Sequence, residues 1–120
     1  MTESQKHLER ARRRIQAVKA LIQAVDHVAS GTLSHRLKTC GTPGCRCAKS
    51  PEERHGPYFE WSRLEQRRLR GTQVQPAVAH RIARAIKNYR RVKRLLRRWE
   101  RESVKVFRAE LDASARAASR

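Results

Sequence analysis

Two stretches of this chain carry apolar residues at helical spacing, and a third alternates at the spacing of a strand. In the first, Leu8, Ala11, Ile15, Val18, Ile22, Val25 and Ala29 recur at steps of three and four. That is a heptad seam, and it predicts a helix over residues 3–29, capped by Thr2 or Ser4 and stopped by Ser30-Gly31. In the last stretch Val78, Ile82, Ala85, Tyr89, Val92, Leu96, Trp99, Ser103 and Val106 keep the same rhythm. Pro76 suits the first turn of that helix, and no further proline or glycine interrupts it. Between them, residues 32–39 read as a short strand and residues 58–64 as a second, with Phe59 and Trp61 on one face and Tyr58, Glu60 and Ser62 on the other. Residues 68–74 read as its returning partner, with Glu65-Gln66-Arg67 as the turn.

This divides the chain into a heptad helix over 1–30, a β head over 31–75, a basic heptad helix over 76–111 and a frayed Ala/Ser/Arg tail over 112–120. The expected class is mainly α, two long heptad-patterned helices flanking a short antiparallel hairpin or three-stranded sheet. Seams sustained over three heptads predict an antiparallel helical hairpin within the chain. The alternatives are a homodimer through the same seams and a small globule.

Charge changes the picture next. In 120 residues there are 29 Lys and Arg against 11 Asp and Glu, a net charge of +18. So little aromatic material leaves a small core, which usually needs a metal, a partner or tight helix packing. A chain this basic repels itself unless a polyanion neutralises it. Nucleic acid comes first, duplex DNA before RNA, and an anionic membrane surface second. The charge is ordered. Arg84, Lys87, Arg91, Arg94, Arg98, Arg101, Lys105 and Arg108 form one stripe on the last helix, with Arg90, Lys93 and Arg97 as a second row. Exposed helix faces usually mix signs, because like charges at i,i+4 destabilise. Here like stacks on like along about 36 Å of helix, close to one turn of B-form duplex. Arg36, Arg46, Arg68 and Arg70 extend the expected nucleic-acid surface onto the head. Phe59 and Trp61 are expected in its core, with stacking on unpaired bases the alternative.

The candidate chemistry lies in the head. All three cysteines fall in Cys40-Gly-Thr-Pro-Gly-Cys45-Arg-Cys47, and His55 follows. Three thiolates and one imidazole make a closed tetrahedral shell for zinc, with Gly41, Pro43 and Gly44 turning the loop. Binding would fold a loop too polar to fold by itself. His35 is the alternative fourth ligand, and an iron–sulfur cluster would ordinarily require four cysteines. Three unlinked thiols are the other reading. A closed shell leaves no position for water. Asp26 and Asp112 sit near opposite ends of the chain, away from any carboxylate cluster for catalytic magnesium, and the zinc-deaminase signature does not fit. The chain is therefore expected not to be an enzyme, with no catalytic residue. No apolar run reaches membrane-span length, so the expected place is the cytoplasm, on the nucleoid.

At these residues the chain resembles an uncharacterised family of small prokaryotic proteins. The matching motifs are Gly31-Thr32-Leu33-Ser34, the loop Cys40 to Cys47, His55-Gly56-Pro57-Tyr58-Phe59 and Asn88-Tyr89-Arg90-Arg91, over roughly residues 30–97. The family tends to carry Gly or Asn in the hairpin turn where this chain has Glu65-Gln66-Arg67. The resemblance implies a zinc-stabilised head and association with mobile genetic elements, hence a recombinase or transposase as protein partner. Three functions are therefore expected in order: a DNA-binding accessory protein, an RNA-binding ribonucleoprotein subunit, and an adaptor whose seams bind a partner protein.

Overall fold

The computed structural model describes residues 2–119. Its elements are α1 (Glu3–Gln23), β1 (Thr32–Lys38), β2 (His55–Glu65), β3 (Arg68–Val74) and α2 (Pro76–Ala118). Two helices thus flank a three-stranded antiparallel sheet of order β1-β2-β3. The chain divides into two compact units, Met1–Asp26 with Arg90–Arg120, and His27–Tyr89. Each is described by itself, and α2 contributes to both.

In the helical unit α1 opens on a capping box. The Thr2 hydroxyl accepts the Gln5 amide at 3.1 Å, and the Gln5 side chain accepts the Thr2 amide at 2.8 Å, which satisfies two otherwise orphaned donors. The two helices run antiparallel: Arg12 meets Glu110 at 3.9 Å, Arg14 meets Glu102 at 3.7 Å, and the Lys19 ammonium lies 5.8 Å from the Trp99 ring. The expected α1 seam is the buried one, with Ala11 and Val18 almost fully enclosed and Leu8, Ile15 and Ile22 half-buried. On α2 the seam is rotated from its expected place. Leu95 is buried where Leu96 is 49% exposed, and Glu102 is buried beside the expected Ser103. A strict heptad drifts around a long straight helix by about 20° per repeat, so the inward face changes along 43 residues.

Both helices end elsewhere than expected, and β2 starts at His55, three residues before the expected strand. α1 ends at Gln23, not at Ser30-Gly31. Residues 24–29 include Val25, Asp26, His27 and Val28, all weak helix formers. Their backbone is also engaged elsewhere in the sheet-containing unit. The Ala29 amide donates to the Ala85 carbonyl at 3.1 Å, and Asn88 Nδ2 donates to the His27 carbonyl at 3.0 Å. Gly31 instead immediately precedes β1 at a φ of 103°, where a Cβ would collide with the Ser62 carbonyl. At the other end, the tail expected to fray after residue 111 is helical through Ala118. The abundance of Ala there favours helix strongly, and its lack of an apolar stripe does not count against that. Residues 1 and 120 of the expected segments lie outside those described.

In the sheet-containing unit, β1 pairs β2 from Thr32↔Ser62 to Lys38↔His55, and β2 pairs β3 from Phe59↔Val74 to Glu65↔Arg68. The start of α2 closes this unit with buried Ala79, Ala85 and Ile86. Phe59 is half-buried with ring neighbours His35 at 6.1 Å and His80 at 6.3 Å. Trp61, also half-buried, donates from Nε1 to the Ser30 carbonyl at 2.9 Å. Both aromatics are half-buried and neither is among the fully buried core residues.

The β2–β3 turn forms without glycine or asparagine. Gln66 and Arg67 take φ of 52° and 66°, the paired left-handed conformation that suits the twist of a two-residue hairpin. A side chain there costs about 1 kcal/mol or more. Arg67→Gly is therefore expected to stabilise the protein by about 1 kcal/mol, raising its melting temperature by about 3–5 °C. A calorimetric scan checks this, and an unchanged or lower melting temperature would count against a left-handed turn.

Candidate metal centre and cationic groove

The metal-binding loop leaves β1 at Lys38 and rejoins the sheet at His55, its register partner. Cys40 follows the strand end. The Thr42 carbonyl accepts the Cys45 amide at 3.2 Å, closing the first turn. Cys45 then caps a 3₁₀ turn over Arg46–Ala48, which carries Cys47 inward until it is 2% exposed. A second 3₁₀ turn over Pro51–Glu53 is capped by the Ser50 hydroxyl, which accepts the Glu52 amide at 3.3 Å. It delivers the chain to His55 at the first position of β2. Gly56 must be glycine: its φ is 129°, and a Cβ would stand 2.7 Å from the Arg36 carbonyl oxygen and 2.9 Å from the Tyr58 nitrogen.

These turns bring one donor atom each from Cys40, Cys45, Cys47 and His55 within 4.8 Å of one another. Cys40 Sγ lies 3.6 Å from Cys47 Sγ, and Cys45 Sγ lies 3.2 Å from His55 Nε2. A tetrahedral ion with metal–sulfur bonds near 2.3 Å needs sulfur–sulfur edges of about 3.8 Å. The donors therefore suit a single metal ion, with the widest separation closing by up to about 1 Å as the shell tightens. The Cys40 amide also donates to Cys47 Sγ at 3.3 Å. His35, the alternative fourth ligand, stands on β1 opposite Phe59 and is not among these four.

The environment favours the thiolate at Cys40 and Cys45. Hydrogen bonds from the Thr42 side chain and backbone bring the Cys40 thiol down to about 6. Cys45 is also lowered, first by the Cys47 amide and then by His55. The Cys40 amide pulls Cys47 down, but burial and the neighbouring thiols outweigh it and leave Cys47 raised. His55 is raised by its hydrogen bond to Cys45. Deprotonated sulfur is the form that ligates metal.

Among family profiles, a domain of unknown function designated DUF6788 matches residues 8–84. The chain belongs to this family. The DUF6788 match takes in most of α1, the whole metal loop, the sheet and the start of α2. It opens and closes earlier than the 30–97 expected from the motifs, so Asn88-Tyr89-Arg90-Arg91 lies outside it. No curated protein and no solved structure matches the chain.

The cations fall into several places. Arg36 on β1, Arg46 in the first 3₁₀ turn, and Arg68 and Arg70 on β3 are all exposed in the sheet-containing unit, as are Arg84 and Lys87 on α2. In the helical unit Arg91, Arg94, Arg98 and Arg101 join Arg97, Leu21 and Leu95 around one groove of about 510 Å³. Among the described residues none of these five guanidiniums lies within 4 Å of a carboxylate. Lys105 differs: its ammonium is 3.0 Å from Glu102 Oε1. Arg108 faces a second cavity at the far end of the pair, lined also by His7, Arg10 and Asp112.

Sequence reasoning missed Glu102. It is 6% exposed, its Oε1 meets Arg14 and Lys105, and its Oε2 has no hydrogen-bond partner. Its only sequence signal is its place three and four residues from Trp99 and Val106, on the inward side of the helix. Leu21 was also missed as a groove residue, because it comes from the other helix. Among the described residues, no helix is long and apolar enough to cross a membrane.

Proposed function

We propose that this chain is a zinc-stabilised nucleic-acid-binding accessory protein, with duplex DNA as its favoured ligand and the nucleoid as its place of work. The reading rests on one observation above all: five guanidiniums surround a single groove that holds no carboxylate. Such a cluster repels itself and is relieved by closely spaced phosphates, for which the guanidinium fork is well suited. Zinc is the metal we assign to Cys40, Cys45, Cys47 and His55, since sulfur and imidazole in a closed set of four are its structural shell. The resemblance to small prokaryotic proteins of mobile genetic elements supports a setting in recombination or transposition, beside a recombinase or transposase. With all four donors on the metal there is no open position for substrate, and no catalytic step is proposed.

The adaptor reading has an observation of its own. Val104, Phe107 and Leu111 recur on α2 at helical spacing and are 38%, 60% and 68% exposed. A partner helix would cover that stripe.

A salt titration of affinity separates the readings. Zinc-loaded protein is expected to bind a 20-base-pair duplex with log K falling steeply against log salt, at about 0.9 per phosphate engaged. Tighter binding to structured RNA at every salt concentration would move the assignment to a ribonucleoprotein. Weak, salt-insensitive binding to duplex, single strand and RNA alike would leave the adaptor reading in front.

A further inference from the structure

The hairpin of β2 and β3 outruns the rest of its sheet. β1 stops pairing at Thr32↔Ser62. Beyond it Arg63↔Arg70, Leu64↔Leu69 and Glu65↔Arg68 continue as two strands alone, closed by Gln66 and Arg67. Leu64 and Leu69 are direct cross-strand partners, so they share one face of this ribbon. They are 74% and 73% exposed, the two most exposed large apolar side chains among the described residues. Alternation puts Arg63, Arg70 and Arg68 on the other face. Arg63 is laid over the Trp61 ring at 4.4 Å and reaches Glu65 at 3.5 Å, which holds that side of the arm in place.

Single exposed leucines are ordinary on protein surfaces. A matched pair on a projecting ribbon, backed by arginines, has a more particular chemistry: apolar surface and phosphate-binding surface on the same narrow arm. Duplex DNA offers the complement, a stack of apolar base faces between two phosphate rails. Leucine is among the wedges that enter a base step from the minor groove and kink the duplex, with basic residues on the flanking backbone. We propose that the β2–β3 arm is a DNA-bending wedge, with Leu64 and Leu69 inserting at a base step, Arg67 at the tip, and the long Arg68 and Arg70 side chains reaching around the edge of the narrow ribbon to the flanking phosphates. This deepens the nucleic-acid reading and rests on it. An anionic membrane is the less favoured occupant. The arm tip carries no aromatic residue, and two leucines offer less apolar surface than the single acyl chain that anchors only marginally.

The test is energy transfer between dyes at the two ends of a duplex of about 30 base pairs, saturated with zinc-loaded full-length protein. Wild type is expected to shorten the end-to-end distance. Leu64→Ala/Leu69→Ala is expected to bind about tenfold more weakly and leave the duplex straight when saturated, as loss of a wedge requires. Leu64→Met/Leu69→Met, which keeps apolar bulk, is expected to restore the bend. Both leucines are exposed, so circular dichroism and the melting temperature should be unchanged in either variant. Wild-type binding without bending, or full bending by the alanine variant, overturns the wedge and leaves nucleic-acid binding standing. No binding to any duplex overturns both. Binding of the arm to phosphatidylserine vesicles, lost in the alanine variant while duplex bending is retained, overturns the wedge and assigns the leucines to a membrane.

Discussion

Cys47→Ser will lose its zinc under conditions where the wild-type chain holds one ion. Cys47 is the most enclosed of the four donors, 2% exposed, and its sulfur already accepts the Cys40 amide at 3.3 Å. A hydroxyl in that position does not supply the soft anionic donor that zinc prefers. Changing hydrogen-bond partners around a metal site commonly costs 10–100-fold in affinity, so loss of a ligand should exceed about 100-fold. Structural zinc sites in small peptides carry about 10–16 kcal/mol of apparent binding free energy near neutral pH. Even a fraction of that is comparable with the whole stability of a small domain. The expected result in the variant, or in wild type treated with a strong chelator, is loss of amide protection over residues 32–62. The far-UV helical signal should largely persist, because the helical unit has its own buried seam. Competition with a chromophoric chelator gives the affinity, and hydrogen exchange gives the protection. His35→Ala should bind zinc as wild type does. A Cys47→Ser protein with wild-type zinc affinity would sink the assignment of the shell.

On the proposed DNA-binding reading, reversing Arg91, Arg94 and Arg98 to Glu together is expected to flatten the salt dependence of binding and weaken it on the order of 10²–10³-fold at low salt. The three line one groove and are exposed, with no carboxylate partner among the described residues, so their replacement breaks no ion pair in the fold. If each engages one phosphate, the slope of log K against log salt should lose about 2.7 units. A matched Arg→Lys triple keeps the charge and nearly keeps the slope, but loses the two-pronged contact and some affinity. Nucleic-acid affinity unchanged by the triple reversal would remove the groove as the contact surface. If the adaptor reading held instead, Phe107→Ser and Leu111→Ser would release a protein partner while leaving DNA binding alone.

The metal loop was legible in the sequence because its determinants are local. Four donors lie within one short segment, and their identities alone name the chemistry. Which histidine completes the set was open in the sequence; in the fold it is His55 that lies with the three sulfurs, whereas His35 is opposite Phe59. Strand boundaries were close for the same local reason, since alternation and turn residues lie side by side. The end of α1 was not legible. Its continuation to residue 29 is pre-empted by the Ala85 carbonyl and the Asn88 amide, which are remote in the chain. Nor was the burial of Glu102, because a charged residue reads as surface until a facing helix covers it. The arginine stripe was visible as a pattern. The groove was not, because Leu21 from α1 helps to form it.

A metal held by these four donors would also govern the order in which the sheet can assemble. β2 and β3 are joined by two residues and lose little chain entropy on meeting. β1 and β2 are joined through residues 39–54, and loop-closure entropy opposes their meeting before any strand contact is made. Cys40 lies just inside one end of that excursion and His55 is the first residue of β2 at the other, so one ion coordinated by both would draw the strands to within pairing distance. A two-stranded hairpin is marginal in water, and a third strand is what gives a sheet independent stability. On the proposed assignment, metal supply would act as a timing signal during folding: before the ion the chain would have an arm, and after it a sheet.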